Sequence, residues 1–398
     1  MQRLCAPESC TGCSACANSC PKNCIRMEAD AEGFLYPRTD ETACISCNRC
    51  TEVCPVLAES QGAVSAEPKA YAAHNRDAAV VESSSSGGVF TALARSVLEE
   101  GGIVFGAAFQ KDFTVAHCPV ESAENLFVLQ GSKYSQSNVG SCYNQARENL
   151  KSGRKVLFSG TPCQIAALRS VLGRDYPNLL CVDIICHSVP SPKVWQTYLR
   201  NTEEQTGKKV VRANFRDKRD GWKNYYLCTH MNDGREALRQ GNDNYYMKAF
   251  IQGLSTRPSC YDCKFKGQNH IGDITLGDFW GVESLCPEAF YEKGTSLVLI
   301  QNEKGQAAYD KIASELESLP INASKALQGN PAYCVASQPH RNRDVFFRQL
   351  ECESLEDLVA CLLKPTKKEI MRQKWNNSLL CRGIRKMKRI VHIGSIRQ

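Results

Sequence analysis

The chain contains no apolar run approaching the ~18 residues that a membrane-spanning helix needs, so a helical membrane protein is excluded. Its opening, "MQRLCAPESC", has no charged stretch leading into an apolar one, and a cytoplasmic location is expected. No G-x-G-x-x-G follows a strand-like run and no P-loop occurs, which argues against both common nucleotide-binding turns. Nor is there a broad basic face, because the positive charge is concentrated in the tail. From Lys364 onward there are eleven lysines and arginines against a single acid, Glu369, and no nucleic-acid partner is expected. Cysteine, by contrast, is abundant: 23 in 398 residues, ten of them within the first 54. A reducing cytoplasm keeps thiols free, so a disulfide framework is excluded and metal ligation accounts for the clustered ones. The scattered remainder (Cys118, Cys142, Cys181, Cys228, Cys286, Cys334, Cys352, Cys361 and Cys381) reads as small buried hydrophobes.

Two runs, "CTGCSACANSCP" and "CISCNRCTEVCP", each follow C-x-x-C-x-x-C-x-x-x-C-P. That spacing is the bacterial ferredoxin pattern for two 4Fe–4S clusters, in which the fourth cysteine of each run ligates the other cluster. It assigns Cys10, Cys13, Cys16 and Cys54 to one cluster and Cys44, Cys47, Cys50 and Cys20 to the other. Structural zinc sites use separated C-x-x-C pairs or cysteine–histidine mixtures, a different pattern. Cys5 and Cys24 fall outside it.

Beyond a linker, "VLAESQGAVSAEPKAY", helical and strand periods alternate. "GGVFTALARSVLEEGG" places Val89, Phe90, Leu93, Val97 and Leu98 at helical spacing, and "IVFGAAF" follows as a strand. "VGSCYNQARENLKSG" reads as a helix, "KVLFSG" as a strand, "TPCQIAALRSVLG" as a helix with proline in its first turn, and "LLCVDIIC" as a strand. Strand–helix–strand predicts two parallel strands. Further helices are expected at "KVWQTYLRNTEEQ" and "EKGQAAYDKIASELES", and strands at "VVRANFRD", "YYLCTHM", "REALR", "DITLGDFW" and "SLVLIQN". The fold class is an α/β (α+β) catalytic domain behind a small ferredoxin-like iron–sulfur domain. The expected divisions are 1–60, 68–150, 151–330 and a basic tail, 341–398.

The parallel pair brings Cys163, in the first turn of a helix, beside Cys186, at the end of the next strand, on the edge where open α/β sheets bind ligands. "RPSCYDCKF" adds Cys260 and Cys263. Four thiols are enough for a third 4Fe–4S cluster; buried or merely paired thiols are the alternative on spacing alone.

"SSSSGGVFTALA", "GSKYSQSNVG", "SGTPCQIAALR", "FRDKRDGW" and "RPSCYDCKFKGQNHIGDITLGDFWG", in that order, resemble the coenzyme F420 hydrogenase/dehydrogenase beta-subunit family over about residues 68–325. The resemblance implies FAD, and an iron–sulfur cluster on Cys163, Cys186, Cys260 and Cys263. The chain departs from it at "CHS", where the family often reads Cys-His-Gly, so Ser188 restricts backbone freedom there. His187 is the candidate proton donor, with an outer supporting role as the alternative. For the flavin, the resemblance points to three segments. Ser85, Ser86, Gly87, Gly88 and Thr91 open a helix that suits a pyrophosphate. Gly131, Ser132, Lys133 and Tyr134 supply a cation and hydroxyls, and Gly277, Asp278 and Trp280 supply backbone freedom and an aromatic. Arg216, Lys218 and Arg219 read either as contacts for an anionic substrate or as an exposed basic loop.

These readings describe an iron–sulfur flavoprotein oxidoreductase passing electrons between ferredoxin-type clusters and FAD, acting on a small organic substrate with a protein as electron donor or acceptor. The alternative is an electron-transfer subunit of a larger complex without turnover of its own. The basic tail, rich in Ile, Leu, Trp and Met, offers a surface for an anionic membrane or an acidic partner, or else docks on the body.

Overall fold

Along the strand Ile103–Phe109, side chains alternate between two cores. Ile103 and Phe105 pack with the helices Cys142–Lys151 and Pro162–Leu172, whereas Val104 packs with the helix Val89–Glu99. The neighbouring strands Val156–Gly160 and Leu179–Ile184 divide in the same way, Val156 and Leu179 to one face and Leu157 and Leu180 to the other. This period of two buries both faces of one sheet between helices. Each fully buried Leu, Val or Phe there contributes on the order of 1.5–3 kcal/mol.

The computed structural model describes residues 4–58, 67–241, 243–368 and 371. Its large sheet has nine strands. Four lie parallel at its centre: Ile103–Phe109, Val156–Gly160, Leu179–Ile184 and Ile274–Asp278. Beyond Ile274–Asp278, the strands Ser296–Ile300, Lys69–Asn75 and Leu316–Ile321 follow antiparallel, each to the one before. Val115–Val120 and the short Ser137–Asn138 complete the other side. A three-stranded antiparallel sheet, Val210–Asp217, Tyr226–Met231 and Glu236–Gln240, stands apart. It shares a third core with the helices Pro192–Thr206 and Tyr245–Ile251.

The α/β class and the parallel pair agree with the sequence. Three local expectations do not. The linker ends sooner than expected, since Lys69–Asn75 is an inner strand of the large sheet; residues 59–66 of it lie outside the described residues. The helix expected over 303–318 stops at Lys311, and the chain re-extends over Leu316–Ile321 to pair with Lys69–Asn75. Pairing along a sheet edge outweighs a weak helical period there. The expected tail, 341–398, begins inside the body: the helices Arg343–Gln349 and Leu355–Leu362 bury Phe346, Leu350, Leu358 and Val359 in the third core. Residues 372–398, which carry most of the basic charge, lie outside the described residues. Among the described residues no helix is long and apolar enough to cross a membrane.

The cysteine-rich segment holds a hairpin, Ile25–Ala29 with Leu35–Thr39, and rests on the body through specific bonds. Leu35 N–H donates to Gln136 Oε1 at 2.9 Å, Asn18 Nδ2 to the Gly140 carbonyl at 2.8 Å, and Arg343 Nη1 to Glu32 Oε1 at 2.9 Å.

Candidate active site and thiol clusters

The carboxyl ends of the four parallel strands open into one cavity of about 280 Å³. Gly106, Ser159, Gly160, Val182, Ile184, Gly277 and Asp278 line it from the sheet. This is the edge at which open α/β sheets bind ligands. Three residues of the cysteine-rich segment, Thr11, Gly12 and Cys13, form part of the same wall.

Cys163 reaches that wall from the first turn of the helix Pro162–Leu172. The turn is fixed by a reciprocal cap, in which Thr161 N–H donates to Gln164 Oε1 at 2.9 Å while the Thr161 hydroxyl caps the helix, and Pro162 presets the backbone. Burial raises the Cys163 thiol well above its ordinary value, with Cys186, Cys263 and Cys13 adding to the effect. Cys186 and Cys260 are pushed up to about 12, each first by burial and then partly by the other thiols of the set. The structure thus brings all four core thiols together. It also seats Cys54 and Cys5 against the same small apolar cluster as Cys163 and Cys263.

In the cysteine-rich segment, Cys10, Cys13, Cys16 and Cys54 line one cavity, and Cys20, Cys44, Cys47 and Cys50 line a second. The crossover of the fourth cysteines is therefore visible in space. Cys50 borders both cavities. The two thiols outside the pattern stand close by: Cys5 borders the first cavity, and Cys24 Sγ lies 3.3 Å from Cys20 Sγ. Among the described residues no three cysteine sulfurs lie within 4.8 Å of one another. A tetrahedral zinc with bonds of about 2.3 Å would hold its sulfurs only ~3.8 Å apart.

Of the expected flavin-contacting residues, Ser85, Ser86, Gly88, Thr91, Gly131, Lys133, Gly277 and Asp278 line the cavity at the sheet edge. Gly87, Ser132, Tyr134 and Trp280 do not. The Gly87 N–H, expected to face an anion, already donates to Ser296 Oγ at 2.9 Å, and the Ser86 hydroxyl donates to the Thr295 carbonyl at 3.0 Å. A Cβ on Gly87 would stand 2.4 Å from the Ala73 carbonyl, so glycine is required here for close backbone approach. Ser132 braces the loop instead, its N–H donating to Ser85 Oγ at 2.7 Å. Tyr134 packs in an aromatic group with Phe215 and Phe250, and Trp280 stacks on Trp222 at 4.9 Å.

Lys133 is no solvated surface cation. Its ammonium donates to the Val128 and Gln130 carbonyls at 2.9 and 2.8 Å, and burial lowers its pKa to about 7. "FRDKRDGW" is likewise no exposed loop. Arg216 is 3% exposed, pairs with Asp278 at 3.0 Å and lies over the Tyr225 ring. Lys218 is buried and donates to the carbonyls of Val81, Ser86 and Lys293 at 2.6, 3.1 and 2.6 Å. It thereby ties down the serine loop at the cavity. Arg219 is exposed and engaged by Asp217 and Glu236.

His187, the expected proton donor, stands outside the lining of this cavity. It packs edge-on against Phe250 at 5.2 Å, and burial lowers its pKa. Ser188 is buried and shares a hydrogen bond with Thr256. The scattered cysteines divide: Cys142, Cys181, Cys228 and Cys286 are buried and Cys118 partly so, but Cys334, Cys352 and Cys361 are exposed. Cys381 lies outside the described residues.

Sequence reasoning missed His117, Ser135 and Gln136 in the cavity wall. His117 Nε2 lies 3.0 Å from the Ser159 carbonyl and Nδ1 2.7 Å from Ser137 Oγ. A carbonyl only accepts, so Nε2 carries the proton and Nδ1 accepts from the serine. Burial lowers its pKa to about 4, leaving it neutral. The Ser135 hydroxyl is buried without a hydrogen-bond partner in that wall. An orphaned polar group of this kind fits a ligand with polar atoms. The strand Val115–Val120, which carries His117, gave no clear alternation signal in the sequence.

Three segments of the chain match known protein families. Residues 153–323 match the family model for the C terminus of the coenzyme F420 hydrogenase/dehydrogenase beta subunit, and residues 70–143 match the model for its N-terminal part. Residues 9–58 match a 4Fe-4S dicluster domain. A coenzyme F420-dependent sulfite reductase from Methanocaldococcus jannaschii is 27% identical over 166 residues, 41% of this chain and 25% of that protein. The chain thus aligns with about a quarter of that relative's length. A structure of the F420-reducing [NiFe] hydrogenase complex from Methanosarcina barkeri aligns over 74% of this chain and 90% of its own, at 19% identity and a TM-score of 0.45. With both halves of the family model matched in order behind a dicluster domain, the chain belongs to the coenzyme F420 hydrogenase/dehydrogenase beta-subunit family and is an iron–sulfur protein of an oxidoreductase group.

Proposed function

We propose that this protein is an iron–sulfur flavoprotein that carries electrons from its ferredoxin-type clusters through a third cluster, on Cys163, Cys186, Cys260 and Cys263, to FAD in the open cavity at the sheet edge, where a small organic substrate is reduced or oxidised. The observation that carries the reading is the shared wall: Cys13 of the first thiol set and Cys163 of the third both border the cavity. FAD exchanges electrons singly or in pairs and so joins cluster chemistry to two-electron substrate chemistry.

The chain's own groups have separable tasks. Gly88, at φ +84°, opens the helix Val89–Glu99, whose positive end suits a pyrophosphate. Lys133 adds a second positive group when protonated. Arg216 and Trp222 hold the Asp278 carboxylate from either side at 3.0 and 3.1 Å, fixing an acceptor at the cavity rim. His117, neutral with its proton fixed on Nε2, offers a shape-defining wall rather than a charge. The substrate class most directly suggested by the family is a deazaflavin.

A second reading, an electron-transfer subunit of a larger complex, is favoured by the outer end of the thiol series. Cys47 is exposed and the neighbouring Ile45 is 56% exposed, so the outer cluster is open to a protein donor or acceptor. The test is turnover with dithionite-reduced full chain and oxidised coenzyme F420. Bleaching by the isolated protein supports the first reading. Bleaching only after a partner protein is added supports the second, and no transfer under either condition contradicts both.

A further inference from the structure

Arg257 is 1% exposed, yet among the described residues it makes no ion pair. Its Nε donates to the Cys10 carbonyl at 2.8 Å, while Nη1 and Nη2 have no hydrogen-bond partner. The guanidinium lies over the Tyr36 ring, 4.1 Å from its centroid, with Phe34 at 5.4 Å. Arginine stays protonated in proteins, so this is a permanent buried charge. Stacking on rings offsets part of its desolvation, but an uncompensated interior charge remains among the most costly features a fold can hold. Something negative is expected beside it.

Two groups qualify. On one side, Arg257 is bonded to Cys10, and a Cβ on Gly12 would stand 3.0 Å from Nη1, so the guanidinium abuts the Cys10–Cys13 loop. On the other side, Cys260 N–H donates to the Arg257 carbonyl at 3.0 Å, placing it three residues before a ligand of the core set. A 4Fe–4S cluster with four thiolates is net negative in both oxidation states, and gains one more negative charge on one-electron reduction. We propose that Arg257 is the shared counter-charge of the two clusters on Cys10/Cys13/Cys16/Cys54 and Cys163/Cys186/Cys260/Cys263. It raises the reduction potential of each and so keeps that step of the electron path open. It is a positioning residue, acting through charge and not by touching substrate.

This inference rests on the cluster reading above, and iron analysis of the unmodified chain tests that reading separately. The experiment is an anaerobic redox titration of the full chain, followed by electron paramagnetic resonance; each cluster takes one electron from dithionite through mediators, and no bond is made or broken. In Arg257→Met the ratio of reduced to oxidised cluster at fixed potential should fall about tenfold for both flanking clusters, a downward shift of about 59 mV for one electron. The cluster on Cys20, Cys44, Cys47 and Cys50 should stay put. Arg257→Lys should keep the potentials, because it keeps the charge. If Arg257→Met loses iron, Arg257→Gln, which still donates to the Cys10 carbonyl, carries the comparison. Iron loss in both neutral variants but not in Arg257→Lys also supports the proposal. Unchanged potentials in an iron-replete neutral variant overturn it, and so does Arg257→Lys behaving like the neutral variants in potential or iron loss.

Discussion

Cys13 and Cys163, 150 positions apart in sequence, border one cavity. The first comes from a ferredoxin-type run and the second from the capped first turn of a core helix, so the joint between the two parts of the chain lies at the candidate site itself.

If FAD binds as proposed, Lys133 is expected to make its binding pH-dependent. Its pKa in the folded protein, about 7, lies below the ordinary lysine value because burial disfavours the ammonium. A pyrophosphate beside it favours the charged form, so binding above pH 7 takes up a proton. Affinity of the flavin-free protein for FAD should fall as pH rises from 7 to 9, by at most about tenfold per unit for one linked proton. The sign for stability is the opposite. The unfolded chain holds a proton that the folded chain has lost between about 7 and the ordinary value of 10.5, so this lysine's contribution to stability of the flavin-free protein improves as pH rises through that window. Fluorescence titration with FAD checks the first point, and Lys133→Met should bind FAD weakly with no slope.

Lys218 separates support of the cavity from the clusters. Lys218→Met leaves the Val81, Ser86 and Lys293 carbonyls without their shared donor, at a cost of about 1–3 kcal/mol for each one left buried and unsatisfied. The serine loop should loosen, and the purified variant should keep its iron while losing bound flavin and several degrees of melting temperature. Full retention of flavin would contradict the role assigned to it.

Gly87 makes a sterically sharper case. A Cβ there meets the Ala73 carbonyl at 2.4 Å, a backbone atom of an inner strand that cannot swing aside. Gly87→Ala should cost about 1–3 kcal/mol in urea unfolding, as overpacking does.

The amino-acid sequence displays some of this plainly. Cysteine spacing and the two prolines specify the crossed ferredoxin pattern because ligand geometry is local to each run. The parallel pair carrying Cys163 and Cys186 followed from strand–helix–strand periodicity. What stayed illegible depends on tertiary partners. Burial of Arg216 and Lys218 is set by an aspartate and by carbonyls from distant segments, which no local pattern encodes. His117 lies on a strand, "VAHCPV", whose residues show no clean alternation of apolar and polar side chains. Gly87 looked like an anion-binding amide because its real neighbour, Ala73, belongs to a strand that begins inside the apparent linker and was not expected. Arg257 opens the "RPSCYDCKF" motif, yet only its enclosure by Tyr36, Phe34 and the Cys10 loop reveals an unpaired charge.

The most direct test of the account counts iron, sulfide and flavin in the full chain purified without oxygen, beside a Cys260→Ala/Cys263→Ala double variant. Three 4Fe–4S clusters predict about twelve irons per chain, with one FAD, falling to about eight irons in the double variant. About eight irons in both proteins, or no flavin bound after anaerobic reconstitution with FAD, would contradict it.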